Sequence, residues 1–302
     1  MIALPDPATA KPCEGTDLDA RVCEAKDLYQ IGAVAAARAI CAEILGADAA
    51  HFQALYLSAV ITGRSGDPSA AAALFDRALA LDPQHAEAHF NLAIVRRRLE
   101  DRAGALASYD RALALDPDFA VAHFNRANLL QELGCDDLAL AAYDRAIACK
   151  PDLAPAHANR GALLQRLHRV ESALASFDRA LALRDDYPEA HCNRGLLLRE
   201  TAQWKESLES CDRALALKPY YAEAHVNRSL ILLAQGQLRS GWQEYEWRLS
   251  LEAGQRVAAA RWRGEPLSGK TILLHAEQGL GDTLQFCRYA QALAERGARV
   301  IL

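Results

Sequence analysis

Apolar and polar residues recur along this chain with a period of 34 residues. The phrase FDRALALDP ends at residue 83, and variants of it end at residues 117, 151, 185 and 219. Each unit contains two stretches in which apolar residues recur three or four positions apart, the spacing of an amphipathic helix. A proline usually follows the second stretch and stops it, because the residue before proline is pushed out of helical geometry. The pattern therefore predicts a helical hairpin in every unit.

Seven units are predicted when the recurring proline is counted as position 32. They span residues 18–51, 52–85, 86–119, 120–153, 154–187, 188–221 and 222–255. A unit that cannot bury its own apolar face must stack on its neighbours, so the predicted fold is an all-α solenoid. Residues 1–17 lack the period and are predicted to be a disordered N-terminal segment.

Three positions of the unit are predicted to build the core. Position 20 is small in every unit, and position 27 is usually alanine. Position 24 is bulky, as at Phe75, Tyr109, Tyr143 and Phe177. Small residues let two helices approach closely, and the large residue fills the space between units. This alternation is core chemistry, and it does not indicate a cofactor site.

Five consecutive units carry the phrase His-x-Asn at positions 4 to 6. The asparagines are Asn91, Asn125, Asn159, Asn193 and Asn227. A side-chain amide offers both donors and an acceptor, so it can pair with both groups of a peptide backbone. Five amides at a constant step would bind an extended chain with little regard to its sequence. Alternatively, each asparagine bonds the neighbouring unit and braces the array, and both uses are compatible.

The histidines of the same phrase are predicted to pack in or near the core. Metal binding needs several ligands in one shell, and residues one unit apart are too distant for that. The repeated Asp-Arg pairs are predicted to be solvated or to link neighbouring units. We expect neither a metal nor a cofactor.

Composition indicates which kinds of partner this chain can bind and in which compartment it is expected. The chain of 302 residues has a net charge of -5 and no concentrated basic stripe, which disfavours nucleic acid. No run approaches 18 apolar residues, and the N-terminus does not read as a secretory signal, so no membrane association is expected. The eight cysteines show no metal-binding spacing and are predicted to be buried free thiols. These features favour a cytoplasmic protein.

The repeat resembles the tetratricopeptide repeat in its length, in its small residues at positions 20 and 27, and in its aromatic residue and proline. This resemblance implies a right-handed superhelix whose first helices line a concave groove. It also implies a protein or an extended peptide as the partner. In similar arrays attached to protein O-GlcNAc transferases, asparagines at this position form a peptide-binding ladder. The implied binding residues are therefore the five asparagines of the His-x-Asn phrase.

The helical period stops near residue 256, and residues 256–269 read as a linker. After it, TILLHA predicts a buried strand, EQGLGD a glycine loop, TLQFCRYAQALAERG a helix and ARVIL a second strand. This order predicts that residues 270–302 are the incomplete start of a Rossmann-like domain. Residues 264–271 match the phosphate-binding pattern G-x4-G-K-[ST]. They precede a strand and not a helix, so we interpret that match as a coincidence.

The stretch from Trp262 to Tyr289 resembles the start of a glycosyltransferase-like domain similar to the heptosyltransferase (GT-B) family. The resemblance implies that Asp282 faces an acceptor cleft as the general base. The nucleotide-sugar half of such an enzyme would follow Leu302, so we expect a truncated chain that binds a nucleotide-sugar only in a longer form. The leading hypothesis is a peptide-binding scaffold that serves a larger glycosyltransferase-like protein. The alternatives are an active glycosyltransferase and a pure adaptor without an enzyme domain.

Overall fold

The structure is a computed structural model that describes residues 17–251, 262, 264–274 and 289–301. The chain divides into two compact units, Met1–Leu251 and Glu252–Leu302. Predictions made for residues 1–16, for residues 252–261 and for residues 275–288 fall outside the described residues. Among these is the proposed general base, Asp282.

Residues 17–251 form a succession of helical hairpins, and the prediction of an all-α solenoid is confirmed. We call the first helix of each hairpin the A helix and the second the B helix. The A helices are α1 (Asp17–Gln30), α3 (Phe52–Arg64), α5 (Ala86–Arg98), α7 (Ala120–Glu132), α9 (Ala154–Arg166), α11 (Pro188–Glu200) and α13 (Ala222–Ala234). The B helices are α2 (Val34–Ala47), α4 (Pro68–Leu81), α6 (Arg102–Leu115), α8 (Asp136–Cys149), α10 (Val170–Leu183), α12 (Trp204–Leu217) and α14 (Leu238–Tyr245), the last followed by a 3₁₀ turn at Glu246–Ser250.

The turn between the A and B helices places position 15 in the left-handed region of backbone space. Four units have glycine there, such as Gly134 with φ of 74°. Three units hold the same conformation with a side chain, at Glu100, His168 and Ala202, where φ lies between 57° and 61°. A Cβ atom makes this conformation costly by about 1–2 kcal/mol, so tertiary packing imposes it on these three residues.

The predicted core positions are buried in the first six units, whereas Tyr245 at position 24 of the seventh is only half-buried. The small residues at position 20, such as Ala71 and Ala173, have no exposed surface. The aromatic residues at position 24, such as Phe75 and Phe177, are equally buried. Each aromatic ring fills the gap that the small residues leave between helices. Clusters of buried residues follow one another along the array, and the largest extends from Ala25 to Leu129.

The A helices form the inner side of the curved array. Helix α9 contacts both α7 and α11, and α11 also contacts α13. Within residues 17–251, all substantial contacts between alternate helices are between A helices. Since successive A helices approach one another more closely than successive B helices, the array curves with its A helices on the concave side.

The second compact unit contains two parallel strands and one helix among its described residues. Strands β1 (Thr271–Leu273) and β2 (Arg299–Ile301) pair in parallel, and helix α15 (Tyr289–Glu295) precedes β2. Leu267, Leu293 and Ala298 form a small buried cluster beside them. The predicted strand-helix-strand order is confirmed. Lys270 directly precedes β1, which supports the rejection of a phosphate-binding loop there.

The cysteines depart from the prediction of buried free thiols at three of the described positions. Cys41, Cys192 and Cys211 are buried free thiols, and the free thiols of Cys135 and Cys149 are more accessible. Cys23, in contrast, is disulfide-bonded. Motif spacing failed here because a disulfide depends on proximity in the fold and not on a local pattern. In the part of the chain that the structure describes, no helix is long and apolar enough to span a membrane.

Candidate functional site

The five asparagines lie at position 6 of the A helices α5, α7, α9, α11 and α13. Where an asparagine at position 6 bonds the preceding unit, its partner is the residue at position 5 or position 9 of the preceding A helix. The residues at those two positions therefore decide whether each asparagine is engaged within the array or available to a partner.

Asn91 is a buried structural residue. It has no exposed surface, and its Nδ2 donates to the hydroxyl of Tyr56 at position 5 of the preceding unit, 2.8 Å away. Tyr56 is only 1% exposed, and burial raises the pKa of its hydroxyl. A buried amide bonded to a buried hydroxyl braces α5 against α3, and a ligand cannot reach it.

Asn159 bonds a second amide in the preceding unit. Its Nδ2 donates to Oδ1 of Asn128, at position 9, over 2.8 Å. The hydroxyl of Tyr143 lies 2.6 Å from Oδ1 of Asn128 and 2.9 Å from Oε1 of Gln131, and its single hydrogen is shared between these two acceptors. Burial raises the pKa of Tyr143 to about 12. Asn159 is therefore tied into a network between α7 and α9, but it remains half-buried at the surface.

Asn227 and Asn125 find weaker or more local partners. Asn227 is 9% exposed, and its Nδ2 points at the Sγ of Cys192, at position 5 of the preceding unit, 3.5 Å away. For Asn125, the two corresponding positions are occupied by Phe90 and Ile94, whose side chains have no polar atom. Its Nδ2 therefore turns back to the carbonyl of Val121 in its own helix, at 2.8 Å.

Asn193 makes no hydrogen bond to any residue that the structure describes. Its neighbours at positions 5 and 9 of the preceding unit are Ala158 and Ala162, which have no polar side-chain atom. The asparagine is half-buried on α11. Asn193 thus presents a free amide, with its donors and its acceptor, on the concave side of the array.

The five histidines form a second ladder with a structural role. Each ring Nε2 donates to the backbone carbonyl of position 32 of the preceding unit, over 2.9–3.1 Å, at His89, His123, His157, His191 and His225. These bonds tie every A helix to the loop before it. Sequence reasoning predicted packing for these side chains and missed the hydrogen bond. The constant offset of six residues from the proline is the signal that was available.

The Asp-Arg pairs link neighbouring units through different partners from those adjacent in sequence. The aspartate at position 25 pairs with the arginine at position 7 of the next unit, for example Asp144 with Arg160 at 2.6 Å and Asp178 with Arg194 at 2.7 Å. Both arginines also donate to a serine of their own unit. The aspartates are more than half exposed, so solvent screens these bridges and each contributes at most about 1 kcal/mol.

A family model for the tetratricopeptide repeat matches residues 63–118, 92–154 and 159–222, which together make up more than half of the chain. This chain is a tetratricopeptide repeat protein. One sequence relative is Protein FlbA of Caulobacter vibrioides (strain ATCC 19089 / CIP 103742 / CB 15), which is 33% identical over 64 residues. That match covers 20% of this chain and 11% of FlbA, so the chain spans only a small part of its relative.

Several solved structures share the fold of this chain. PilW, a type IV pilus biogenesis factor, aligns with a TM-score of 0.61 at 20% identity, over 70% of this chain and 98% of its own. PilF of Pseudomonas aeruginosa aligns with a TM-score of 0.59 at 19% identity, over 68% and 100% of the two chains. YrrB aligns with a TM-score of 0.52 at 21% identity, over 59% and 92%. At these identities the likeness concerns the fold alone.

Proposed function

We propose that this tetratricopeptide repeat protein is a scaffold that binds an extended peptide segment of a partner protein on the concave side of its A helices. The observation that carries the proposal is the free amide of Asn193. A half-buried amide without a partner is a ready donor and acceptor for a peptide group. Of the five asparagines, it is the one that the array itself leaves unused.

The surroundings of Asn193 fit an extended backbone. Gln165 and Arg199, at position 12 of α9 and α11, are also half-buried, and their side chains donate no hydrogen bond within residues 17–251. Two further donors thus lie on the A helices that carry and precede Asn193. Ala158 and Ala162, at positions 5 and 9 of α9, have small side chains without a polar atom. Asn125, bonded only to its own helix, can rotate and serve as a second contact. Asn91 and Asn227 bond side chains of the preceding unit and so hold neighbouring A helices together.

One structural neighbour supports a peptide as the ligand class. YrrB is a tetratricopeptide protein with an unusual peptide-binding site. The shared fold makes a concave surface of A helices available in both proteins. For this chain, the choice of ligand rests on the amides of that surface, which offer donors and acceptors but little net charge.

The test begins with peptides selected on this chain from a random twelve-residue display library. The dissociation constant of the best binder is measured by calorimetry for the wild type and for Asn193→Ala. We expect an affinity about tenfold lower for the variant, because one hydrogen bond of about 1–1.5 kcal/mol is lost. The matched control is Lys205→Ala, an exposed substitution on B helix α12, which should leave affinity unchanged.

Backbone recognition has its own signature in the ligand. Replacing ligand side chains one at a time by alanine should cost little, whereas N-methylation of a central peptide group should abolish binding. An equal loss of affinity in both control and variant, or a ligand indifferent to N-methylation, contradicts the proposal.

We also propose that the array is the recognition arm of a longer glycosyltransferase-like protein. The parallel pairing of β1 and β2 around a helix supports this, because parallel strands joined by a helix are the building unit of Rossmann-like domains. The role of Asp282 as general base stays a prediction. In a longer chain that transfers sugar, Asp282→Asn should abolish transfer and leave peptide affinity unchanged. If the variant still transferred sugar, Asp282 would not be the general base.

A further inference from the structure

A cleft of about 480 Å³ lies between the first two hairpins, away from the central asparagines. Its walls are formed by the C-terminal ends of α1 and α3 and by the start of α2. The lining residues are Tyr29, Gln30, Gly32, Val34, Ile61, Arg64 and Ser65. The volume lies within the range typical of small-molecule sites, about 300–1,000 Å³.

Tyr29 brings an unused hydrogen-bond donor to this cleft. The residue is 7% exposed, and its hydroxyl is buried without a hydrogen-bond partner among the described residues. Buried hydroxyls are almost always bonded, because an unbonded one has lost its water without compensation. A ligand with an oxygen acceptor would satisfy this group.

Arg64 brings an uncompensated positive charge to the same place. Its guanidinium lies over the Tyr29 ring, 5.3 Å from the ring centroid, and no carboxylate or carbonyl among the described residues accepts from it. The arginines at the same position 13 in other units are engaged. Arg98 donates to the carbonyl of Gly63 at 2.8 Å, and Arg166 pairs with Asp136. Arg64 is therefore the exception in a repeated pattern.

We propose that this cleft binds a small carboxylate with a short hydrocarbon part. The carboxylate would accept from the Arg64 guanidinium and from the Tyr29 hydroxyl, a charge-assisted pair of bonds. The Arg64 side chain is exposed. Val34 and Ile61 supply the apolar wall for the hydrocarbon part. Arg38 lies beside the same cleft, but its Nη2 already donates to Oγ of Ser65 at 2.8 Å. Arg64 therefore supplies one unengaged cation, which suits one negative charge better than a doubly charged phosphate. This site is independent of the peptide-binding proposal.

The test uses sodium butyrate as the probe on the full chain, followed by amide chemical shifts in NMR. We expect saturable shifts confined to residues of α1, the start of α2 and the end of α3. Butyramide, which has the same shape without the charge, should produce no saturation. Inorganic phosphate should bind at least fivefold more weakly than butyrate. Phosphate binding as tight as butyrate would overturn the assignment to carboxylates.

Two variants and two matched controls locate the site. Arg64→Gln and Tyr29→Phe should each weaken butyrate binding about tenfold, since each removes a hydrogen bond to a charged group. Arg166→Gln removes the arginine at the same repeat position three units further on, which pairs with Asp136 away from the cleft. Tyr109→Phe removes another buried hydroxyl that has no partner among the described residues. Both controls should bind butyrate like the wild type. Absence of saturable shifts in the folded wild type, or equal loss in variants and controls, would overturn the proposal.

Discussion

Replacing Asn91 by alanine separates the bracing asparagines from the binding ones. The substitution removes a donor that bonds the Tyr56 hydroxyl at 2.8 Å, in a place where both residues are at most 1% exposed. The orphaned hydroxyl costs about 1–3 kcal/mol. The small cavity adds about 1 kcal/mol, and the better helix propensity of alanine offsets about 0.5 kcal/mol. We expect the free energy of unfolding to fall by about 1.5–3.5 kcal/mol.

Asn193→Ala is the matched control, because it makes the same chemical change at the same repeat position. Asn193 has no bond to lose, so its replacement should leave stability unchanged or raise it slightly through helix propensity. The assay is urea unfolding followed by circular dichroism. Because repeat arrays can unfold in parts, hydrogen exchange of α3 and α5 should accompany it. Equal destabilisation by both substitutions would refute the division of the five asparagines.

Three further predictions concern the array. Ala202→Gly should raise stability by about 1 kcal/mol in thermal unfolding, because relief of about 1–2 kcal/mol of left-handed strain outweighs the gain in unfolded-state entropy of about 0.4–1 kcal/mol; a loss of stability would refute the strain. Tyr143→Phe should lower the free energy of unfolding by about 1–2 kcal/mol, because the Tyr143 hydroxyl is hydrogen-bonded. Tyr109→Phe should leave it unchanged or raise it, because the Tyr109 hydroxyl has no partner among the described residues; equal losses of stability would contradict this. Burial lowers the pKa of several histidines in the folded state, so neutral rings are favoured there and unfolding midpoints should fall as pH drops from about 7 to 5; a flat profile would contradict this sign. These histidines are His85, His89 and His191.

The hairpins and their core could be predicted from the sequence because their signals are local and repeated. The helical spacing and the recurring proline predict the secondary structure. The alternation of small residues with large ones such as Phe75 and Tyr143 predicts how the helices pack. Burial then follows directly, since these side chains can meet only between adjacent helices.

The behaviour of the asparagine row could not be predicted from the row itself. Five identical residues have different partners because positions 5 and 9 of the preceding unit vary, from Tyr56 beside Asn91 to Ala158 and Ala162 beside Asn193. That neighbour relation exists only in three dimensions. The left-handed turn at Ala202 was hidden for a similar reason, because packing of the hairpin overrides the preference of the residue.

The central claim is that Asn193 contacts the backbone of an extended peptide. It is tested most directly by following side-chain amide signals of the asparagines in NMR while a library-selected peptide is added. The account predicts that the Asn193 signals shift and saturate with the peptide, that Asn125 follows, and that Asn91 and Asn227 stay in place. Unmoved Asn193 signals in the presence of saturating peptide would contradict it.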